Sequence, residues 1–475
     1  MIPTVSGAIV LAIGIWCQLG GYRRTVLAMF GLIVLASASA VDLPALGGAS
    51  ITPANFFLLF YLLRLVSMRD GFGQLAAEIE PRRPLFLFFL LILWIVGSAL
   101  LLPRLFEGQV SVFSLSRSLD NDGGTMRLAP TSGNISQAVY AIGGFLAACA
   151  TAAFARRPGG YQVMLSAIVL VTSLDIFFAI VDLVTGVTHT GFVLDAIHTA
   201  SYAFLTDDEL GGLKRISGSF SEASGFATFS LTLLGTNLAL FVANVRPRFT
   251  GTASALLFLL IVLATSSAGY AGIGVLLAGF LAYAAVAALR GKRRAPLLAL
   301  FVVGAGIVVV GLVFLLLPPV ADVAQKVIEE SLLAKGQTES ALERGSWNTQ
   351  AWQVFLDTHG LGAGIGTTRG SNYILVLLSN LGAIGFGLFA LLMLKTTLAR
   401  LAPHLQREDR AIVWAARVGT LVTLVPSILV GTVYDLGTLF YALLGIAASG
   451  AAVAAPKRAP APERRPLAAA GARNA

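Results

Sequence analysis

Long runs of apolar residues recur from one end of the chain to the other, separated by polar connections. The runs are about 15 to 25 residues long, the length that a helix needs to cross a hydrocarbon core of roughly 30 Å. The first run also has the length of a signal-type segment, so the pattern predicts about 12 to 13 membrane-spanning helices. They centre on residues 5–19, 26–40, 51–66, 84–102, 135–154, 162–185, 225–245, 252–265, 269–289, 297–318, 372–394, 412–430 and 433–448.

Basic residues cluster in alternate connections between these runs, and most of the acidic residues fall in the others. Because Lys and Arg favour the cytoplasmic loops of membrane proteins, the basic connections are predicted to face the cytoplasm. The C-terminal tail belongs to the same side. The basic residues that define it are Arg23, Arg24, Arg69, Arg82, Arg83, Arg156, Arg157, Arg246, Arg248, Arg290, Lys292, Arg293, Arg294, Lys395, Arg400, Arg407 and Arg410.

Composition agrees with a membrane protein and excludes several other classes. Hydrophobic residues make up 56% of the 475 residues and charged residues 12%, with a mean hydropathy of +0.82, far from a soluble domain. The net charge of +9 follows from the basic cytoplasmic loops and does not indicate nucleic-acid binding. Cys17 and Cys149 lie inside apolar runs, and the four histidines are scattered. Neither a disulfide framework nor a metal site is predicted.

We therefore predict an all-α, polytopic transmembrane bundle over residues 1–454, followed by a disordered basic tail over residues 455–475. Three outer connections are unusually long, at residues 103–134, 186–224 and 321–371, and long connections usually carry function or disorder. The first contains a DNDGG turn between two short β-type stretches, which predicts a small β-hairpin. It either covers the bundle or presents Arg104, Arg117 and Arg127 to a saccharide or a lipid phosphate.

The second long connection combines an amphipathic stretch with a charged turn. Residues 191–205 are predicted to form an amphipathic helix in the membrane interface. Arg215 and Glu222 then precede the next apolar run. A guanidinium beside a helix start suits a phosphate group, and the alternative is an arginine that reaches the lipid headgroups.

Two acidic residues, Asp175 and Asp182, lie seven positions apart within the sixth apolar run. Ionisable groups at membrane depth are costly and are candidates for function. Asp182 is close enough to the outer end to reach water. Asp175 would suit the proton or ion site of a transporter, although the chain shows no paired broken helices and no internal repeat, which many transporters have.

The third long connection leads into the most varied stretch of the sequence, residues 343–384. An amphipathic helix ending at Gly336 is predicted first, and Ser340 and Glu343 have the spacing of a capping box that starts a second helix. The second helix would carry Arg344, Trp347, Ala351 and Phe355 on one face and end at Gly360. The glycine-rich turn after it is predicted to expose its backbone amides, beside the charge of Arg369.

Four motifs together resemble the O-antigen polymerase and ligase superfamily. They are R-x-x-G-S-F at residues 215–220, R-x-x-W-x-x-x-x-W at 344–352, the glycine turn at 362–366, and a polar-Asn-aromatic helix start with L-L-x-x-L-G-x-x-G at 371–385. With the number of spans and the large outer loop, the resemblance covers most of the chain from about residue 225 onward and, more loosely, the part before it.

The resemblance implies a GT-C-like glycosyltransferase in the bacterial inner membrane. Such enzymes take a glycan from undecaprenyl pyrophosphate at the periplasmic face and need no metal, nucleotide or other cofactor, because the donor already carries its leaving group. By motif position, Arg215 and Arg344 would bind the pyrophosphate, with Arg369 nearby. Chain-length regulators and other glycan-assembly proteins are the implied partners.

Two departures from the family pattern favour one branch of it. Ligases, which transfer the glycan to lipid A core, keep a histidine where this chain has Ser371, and serine cannot act as a base at neutral pH. The turn at residues 266–269 also lacks the family's arginine. We therefore expect a polymerase of O-antigen or exopolysaccharide repeat units; a ligase is the first alternative and a polysaccharide or lipid transporter the second.

The candidate site residues follow from these motifs. Glu222, Glu343 and His359 are the candidates for a general base, and Glu222 is preferred because it follows Arg215 by seven residues. Arg344 is expected to act in catalysis by stabilising the charge of the leaving group. Further substrate contacts are expected from residues adjoining the motifs, namely Lys214, Ser371 and Asn372.

Overall fold

The computed structural model describes residues 2–43, 49–114, 124–200, 209–210, 213–291, 294–316, 318, 321–322, 325 and 339–452. These residues are mostly helical. The helices are α1 (Val5–Gln18), α2 (Tyr22–Ile33), α3 (Pro53–Val66), α4 (Gly71–Ala77), α5 (Leu85–Leu105), α6 (Ser132–Ala155), α7 (Gly160–Thr188), α8 (Ala223–Val242), α9 (Pro247–Leu263), α10 (Ser267–Leu289), α11 (Arg294–Leu316), α12 (Glu339–Asp357), α13 (Tyr373–Thr397), α14 (Arg407–Val430) and α15 (Thr438–Ser449).

Every predicted apolar run overlaps one of these helices, and α4 and α12 are additional. Among the described residues, seven helices are long and apolar enough to cross a membrane: α5, α6, α7, α8, α10, α13 and α14. This supports the predicted class, a helical bundle with several membrane-spanning segments. The apolar helices α1, α3, α9 and α15 are shorter, and α11 is assessed only over Val303–Leu316, so the full number of spans stays a prediction.

Polar side chains cap the N-termini of several helices. Thr4 accepts a hydrogen bond from the Gly7 N–H at the start of α1, and Thr52 does the same for Asn55 at the start of α3. These bonds satisfy N–H groups that have no partner within the helix. In α3 the next residue is Pro53, whose fixed φ suits the first helical position.

Small residues allow the central helices to approach each other closely. A Cβ added at Gly445 of α15 would lie 2.3 Å from the Ala148 carbonyl oxygen of α6, and one at Gly419 of α14 would lie 2.2 Å from the Thr236 hydroxyl oxygen of α8. Helices in lipid gain stability from such close packing rather than from exclusion of water. The pairs α6–α15 and α8–α14 therefore form the tightly packed centre of the bundle.

Short strands lie at the ends of the helices. The strands β1 (Ile2–Pro3), β2 (Val41–Leu43) and β3 (Ala49–Ile51) form one antiparallel sheet, with Ile2 opposite Asp42 and Asp42 opposite Ser50. In the first long connection, β4 (Ser111–Val112) pairs with β5 (Met126–Arg127), and Ser111 lies opposite Arg127. A third pair joins β6 (Glu209–Leu210) to β7 (Leu213–Lys214). The turn predicted between β4 and β5, including Arg117, lies outside the described residues.

The amphipathic helix predicted for residues 191–205 is wrong over its described part. Only a short 3-10 helix forms there, at Gly191–Leu194. The backbone N–H groups of Thr199 and Ala200 instead donate to the Ser37 carbonyl oxygen, at 3.1 and 3.0 Å. These contacts tie the segment to the turn after α2, so tertiary hydrogen bonds replace those of a helix.

The last predicted span, residues 433–448, begins too early. The helix in this region, α15, starts only at Thr438, and Gly437 before it has a φ of 84°. Val433 and Tyr434 lengthened the apolar run in the sequence without being helical. Residues 431–437 therefore form a connection, and Asp435 lies in it rather than in a helix.

The two ends of the bundle carry different chemistry. Glu222 and Asp435 lie at one end, near the starts of α3, α8 and α15, and we call this the Glu222 end. Arg156, Tyr161 and the residues before α14 lie at the other, the Arg156 end. The side predicted from charge to be outer corresponds to the Glu222 end. The side predicted to be cytoplasmic corresponds to the Arg156 end.

Candidate functional site

A cavity of about 360 Å³ opens at the Glu222 end between α3, α8, α14 and the connection before α15. We call it the Glu222 cavity. Hydroxyl, amide and carboxyl groups line it, beside the aromatic rings of Phe220, Phe229 and Phe440. The polar residues of the lining are Thr52, Asn55, Glu222, Ser224, Thr228, Thr232, Thr423, Ser427, Thr432, Asp435 and Thr438. Donors and acceptors arranged around apolar surface are suited to a polyhydroxylated ligand such as a sugar.

Glu222 is the predicted site residue that the structure places in this cavity. It is the residue before α8, has an extended backbone, and makes no side-chain cap hydrogen bond. The Ser224 hydroxyl donates to its Oε1, and the side chain is exposed. The carboxylate lies at the N-terminal end of α8, where the helix carries partial positive charge. An ionised, accessible carboxylate is able to accept a proton from a bound hydroxyl group.

Asp435 is the second carboxylate of the cavity, and sequence reasoning missed it. The Gly437 N–H donates to its Oδ1 at 3.0 Å. Burial raises the pKa of the Asp435 carboxyl, while the hydrogen bond from the Gly437 backbone opposes the rise. The sequence signal is an acidic residue two positions before a glycine, between two apolar runs. That signal was hidden because Asp435 was assigned to a span.

The turn before Glu222 is built around Asp182. Its Oδ1 accepts from the Lys214 Nζ at 3.0 Å, and its Oδ2 accepts from the N–H groups of Ser217 and Gly218 at 2.7 and 2.8 Å. Asp182 is 1% exposed, so the expectation that it reaches water is wrong. Its role is to anchor the turn, because each carboxylate oxygen has a partner. Lys214, a predicted substrate contact, is held in this ion pair.

Arg215 follows Lys214 and is partly buried. Its guanidinium lies near enough to Tyr270, at the start of α10, to interact with the tyrosine hydroxyl electrostatically. The Asp182 carboxylate holds Lys214 on one side of Arg215 and the N–H groups of Ser217 and Gly218 on the other, so it fixes the chain around Arg215. The next residues in the chain lead directly to Phe220 and Glu222 in the lining of the cavity.

We call the Asp182-anchored turn, residues 214–222, the first unit. Helix α12 and residues 367–372, which follow the glycine-rich turn, form a second unit at the same end of the bundle. The guanidinium carbon of Arg369 lies 4.9 Å from the centre of the Trp347 ring, a cation–π contact. Arg344 is exposed and precedes Trp347 by three residues, so the two are neighbours on the helix surface. Arg344 and Arg369 therefore flank one tryptophan. Only part of the predicted face is buried: Ala351 is 0% exposed, whereas Arg344 is exposed.

Ser371 and Asn372 have structural partners in this unit. The Ser371 N–H donates to the Asn348 Oδ1 at 2.8 Å, and Ser371 is 3% exposed. The Asn372 Oδ1 accepts from the N–H groups of Ile374 and Leu375 at the start of α13. Asn372 is thus the N-cap of α13, which accounts for an Asn at this point of the sequence.

The glycine-rich turn is buried within the bundle, so the expectation of exposed amides is wrong. It packs against α13 where that helix is interrupted at Gly382, with φ 67° and ψ −170°. The N–H groups of Ala363 and Gly364 donate to the carbonyl oxygens of Ser379 and Asn380, at 2.7 and 2.9 Å. A break in a membrane helix leaves carbonyl groups without partners, and these bonds satisfy them.

The turn tolerates no side chain at its closest point to the break. Gly362 has a φ of 82°, and an added Cβ would lie 2.6 Å from the Gly382 nitrogen. We expect Gly362→Ala to lower the free energy of unfolding by roughly 2–5 kcal/mol, from backbone strain and overlap together. Thermal unfolding of the purified protein in detergent measures this.

The matched control is Gly387→Ala in the same helix. A Cβ at Gly387 meets no atom within 4 Å, so this substitution is expected to leave the unfolding temperature unchanged or to raise it slightly. Equal unfolding temperatures for the Gly362→Ala and Gly387→Ala variants would contradict the packing described for the turn.

Helix α13 contacts the connection that carries Asp435. The Tyr373 hydroxyl, in the first residue of α13, donates to the Tyr434 carbonyl oxygen at 3.0 Å. Tyr434 directly precedes Asp435 in the cavity wall. The cavity lining itself contains Glu222 but none of Arg215, Arg344 and Arg369. The structure therefore gives an acidic cavity, with Arg215 seven residues before Glu222 in the chain and with Arg344 and Arg369 on a separate segment.

Comparison with known proteins identifies no relative of this chain: no family model, no curated protein and no solved structure matches it.

Proposed function

We propose that this protein is an inner-membrane polysaccharide polymerase that joins undecaprenyl-pyrophosphate-linked repeat units at the periplasmic face. The observation that carries the proposal is the Glu222 cavity, which combines two carboxylates with a wall of hydroxyl and amide groups. It opens at the end of the bundle that the charge distribution assigns to the periplasm. We assign the positive charge that a pyrophosphate needs to Arg215 and Arg344, which lie outside the lining of the cavity.

The proposed reaction uses these groups in one displacement. Glu222 takes the proton from a sugar hydroxyl of the acceptor, and the hydroxyl oxygen attacks the anomeric carbon of the donor glycan. The bond between that carbon and the pyrophosphate oxygen breaks, and undecaprenyl pyrophosphate leaves with the bonding electrons. Arg215 and Arg344 stabilise the negative charge on the leaving group. Asp435 contributes hydrogen-bond acceptors that orient the acceptor sugar.

Two observations favour a polymerase over the alternatives. Ser371, where a ligase would keep its histidine, is 3% exposed and is held by Asn348, so it is not presented to an acceptor. Asp175, the proton site required by a transporter, is 1% exposed, accepts a hydrogen bond from Ser230 at 2.7 Å, and is absent from the lining of the Glu222 cavity.

Analysis of glycolipids from a strain that lacks this chain tests the proposal against both alternatives. A polymerase defect leaves single repeat units on the undecaprenyl carrier. A ligase defect leaves long polymer on the carrier, and a transport defect leaves units on the cytoplasmic leaflet. Restoration of long polymer by the wild-type chain is the expected result, and accumulation of carrier-linked long polymer in the deletion strain would refute the proposal.

A further inference from the structure

A second cavity, of about 630 Å³, opens at the Arg156 end. Helix α14 runs from this end to the Glu222 cavity, and α15 runs back, so the two cavities lie at opposite ends of the same helices. Its lining includes Arg83, Arg156, Arg157, Tyr161, His404 and Asp409, and we call it the arginine cavity. The glycosyl transfer proposed above has no use for it.

The arginine cavity has more positive charge than its acidic residues balance. Glu78, which is 1% exposed, makes ion pairs with Arg83 at 2.8 Å and with Arg156. Glu78 is not in the lining of the cavity, where Asp409 is the acidic residue among those described. Within the described part of the chain, no carboxylate lies within 4.0 Å of the Arg157 guanidinium, whose Nη2 donates to the Arg69 carbonyl oxygen at 3.4 Å.

Two arginine N–H groups in this region have no acceptor. The Nε atoms of Arg83 and Arg157 are buried and lack a hydrogen-bond partner among the described residues. A buried donor without an acceptor costs about 1–3 kcal/mol, more when it is charged. These two Nε atoms have no exposed surface, so a ligand in the cavity would meet the outer Nη groups of Arg83 and Arg157 instead.

Arg156 differs from its neighbours because its donors are used within the protein. Its Nε donates to the Ser449 carbonyl oxygen at 3.0 Å, and its Nη2 donates to that of Ala448 at 3.2 Å. It thus satisfies the last carbonyl groups of α15. Burial lowers the pKa of Arg156 to about 10, so it keeps its charge at neutral pH. Arg156 shapes the cavity. Arg83 pairs with Glu78 through Nη1 alone, and Arg157 has no carboxylate partner among the described residues, so both keep donor capacity for a ligand in the cavity.

Two long helices begin at the arginine cavity. Gly160, Tyr161 and Gln162 are the first residues of α7, and Gln406 and Asp409 belong to the start of α14. The N-terminus of a helix carries partial positive charge and free N–H groups, both of which favour an anion. The single proton of the Ser449 hydroxyl has the Ile446 carbonyl oxygen as an acceptor at 2.7 Å, and the Tyr161 hydroxyl lies 3.1 Å from Ser449 Oγ. Tyr161 can therefore turn its own proton either to Ser449 or to a ligand.

We propose that the arginine cavity binds a phosphate group, with Arg83, Arg157 and Tyr161 as the donors. The planar guanidinium forks and the hydroxyl suit the tetrahedral oxygens of a phosphate ester. The cavity volume leaves room for a glycerol or sugar moiety attached to the phosphate. The ligand is either the headgroup of an anionic phospholipid, for which basic pockets between helices are known, or a soluble phosphate ester.

Binding to the purified full-length chain in detergent tests this proposal. Two probes are titrated, phosphatidylglycerol and glycerol 3-phosphate, with zwitterionic phosphatidylcholine as the reference lipid. We expect at least one phosphate probe to bind, and Arg157→Gln to weaken it about tenfold, because one charge-assisted hydrogen bond is lost. Tyr161→Phe, which removes a single hydroxyl, is a second variant and should weaken binding about threefold.

Arg248→Gln is the matched control, since Arg248 is an exposed arginine in another of the basic connections and does not line the cavity. Affinity for phosphatidylglycerol alone, without competition by glycerol 3-phosphate, identifies a lipid site, and binding of both probes identifies a site for the phosphate ester itself. Equal weakening by Arg157→Gln and Arg248→Gln would show diffuse attraction and overturn the proposal, as would failure of both probes to bind.

Discussion

Replacement of Glu222 by glutamine is expected to lower the rate of polymer formation by about 10²- to 10⁴-fold, the range for loss of a general base. Glutamine keeps the size of the side chain and can still accept from Ser224, but it cannot take a proton. The protein should insert and unfold like the wild type, because Glu222 is exposed and makes no cap bond to α8. The rate of polymer formation in membranes with equal amounts of each variant measures this.

Glu343→Gln is the control for this substitution. Glu343 is also an exposed glutamate near the start of a helix, α12, and it does not line the Glu222 cavity. It should keep the wild-type rate. If Glu343→Gln loses activity and Glu222→Gln does not, the base has been assigned to the wrong unit.

Alanine at Arg215 or at Arg344 is expected to lower the same rate by about 10²- to 10³-fold each, the cost of removing one donor that stabilises developing charge. The two arginines lie on different structural units, one anchored by Asp182 and the other beside Trp347. Loss at both positions would therefore indicate that the units act on one leaving group. Single repeat units on the undecaprenyl carrier should accumulate in both variants.

A conservative variant separates charge from geometry at these positions. Arg215→Lys keeps the charge but loses the planar fork of donors, so we expect partial activity. Arg104→Ala is the control, because Arg104 is exposed at the Glu222 end and donates to its own helix, to the Leu100 carbonyl oxygen. Full-length polymer from Arg215→Ala and Arg344→Ala at normal rates would exclude both arginines from the reaction.

The sequence predicted the helices well because the length and apolarity of each run are properties of the run itself. Residues 135–154, for example, lie entirely within α6. The break in α13 was not predictable in this way. Gly382 lies in an apolar run that hydropathy treats as continuous, and the carbonyl groups freed by the break are satisfied by Ala363 and Gly364 from another part of the chain.

The candidate site was predicted only in part for the same reason. Glu222 was found because it stands between a motif arginine and an apolar run, and it does line a cavity. Asp435 was missed because Val433 and Tyr434 extended the apolar run across it. Lys214 stands beside a motif, yet its partner Asp182 lies 32 residues earlier in the chain and is visible only in three dimensions. Asn372 bonds to the first turn of α13 directly after it, as an N-cap does.

Polymerisation by the purified protein tests the central claim most directly. Undecaprenyl-pyrophosphate-linked single units, isolated from a strain lacking the chain, are supplied to the wild-type protein reconstituted in liposomes, with Glu222→Gln as the paired control. We predict a ladder of longer glycans and release of undecaprenyl pyrophosphate with the wild type, and neither with the variant. If the folded wild-type protein leaves the single units unchanged, or if Glu222→Gln lengthens them equally well, the proposed function is contradicted.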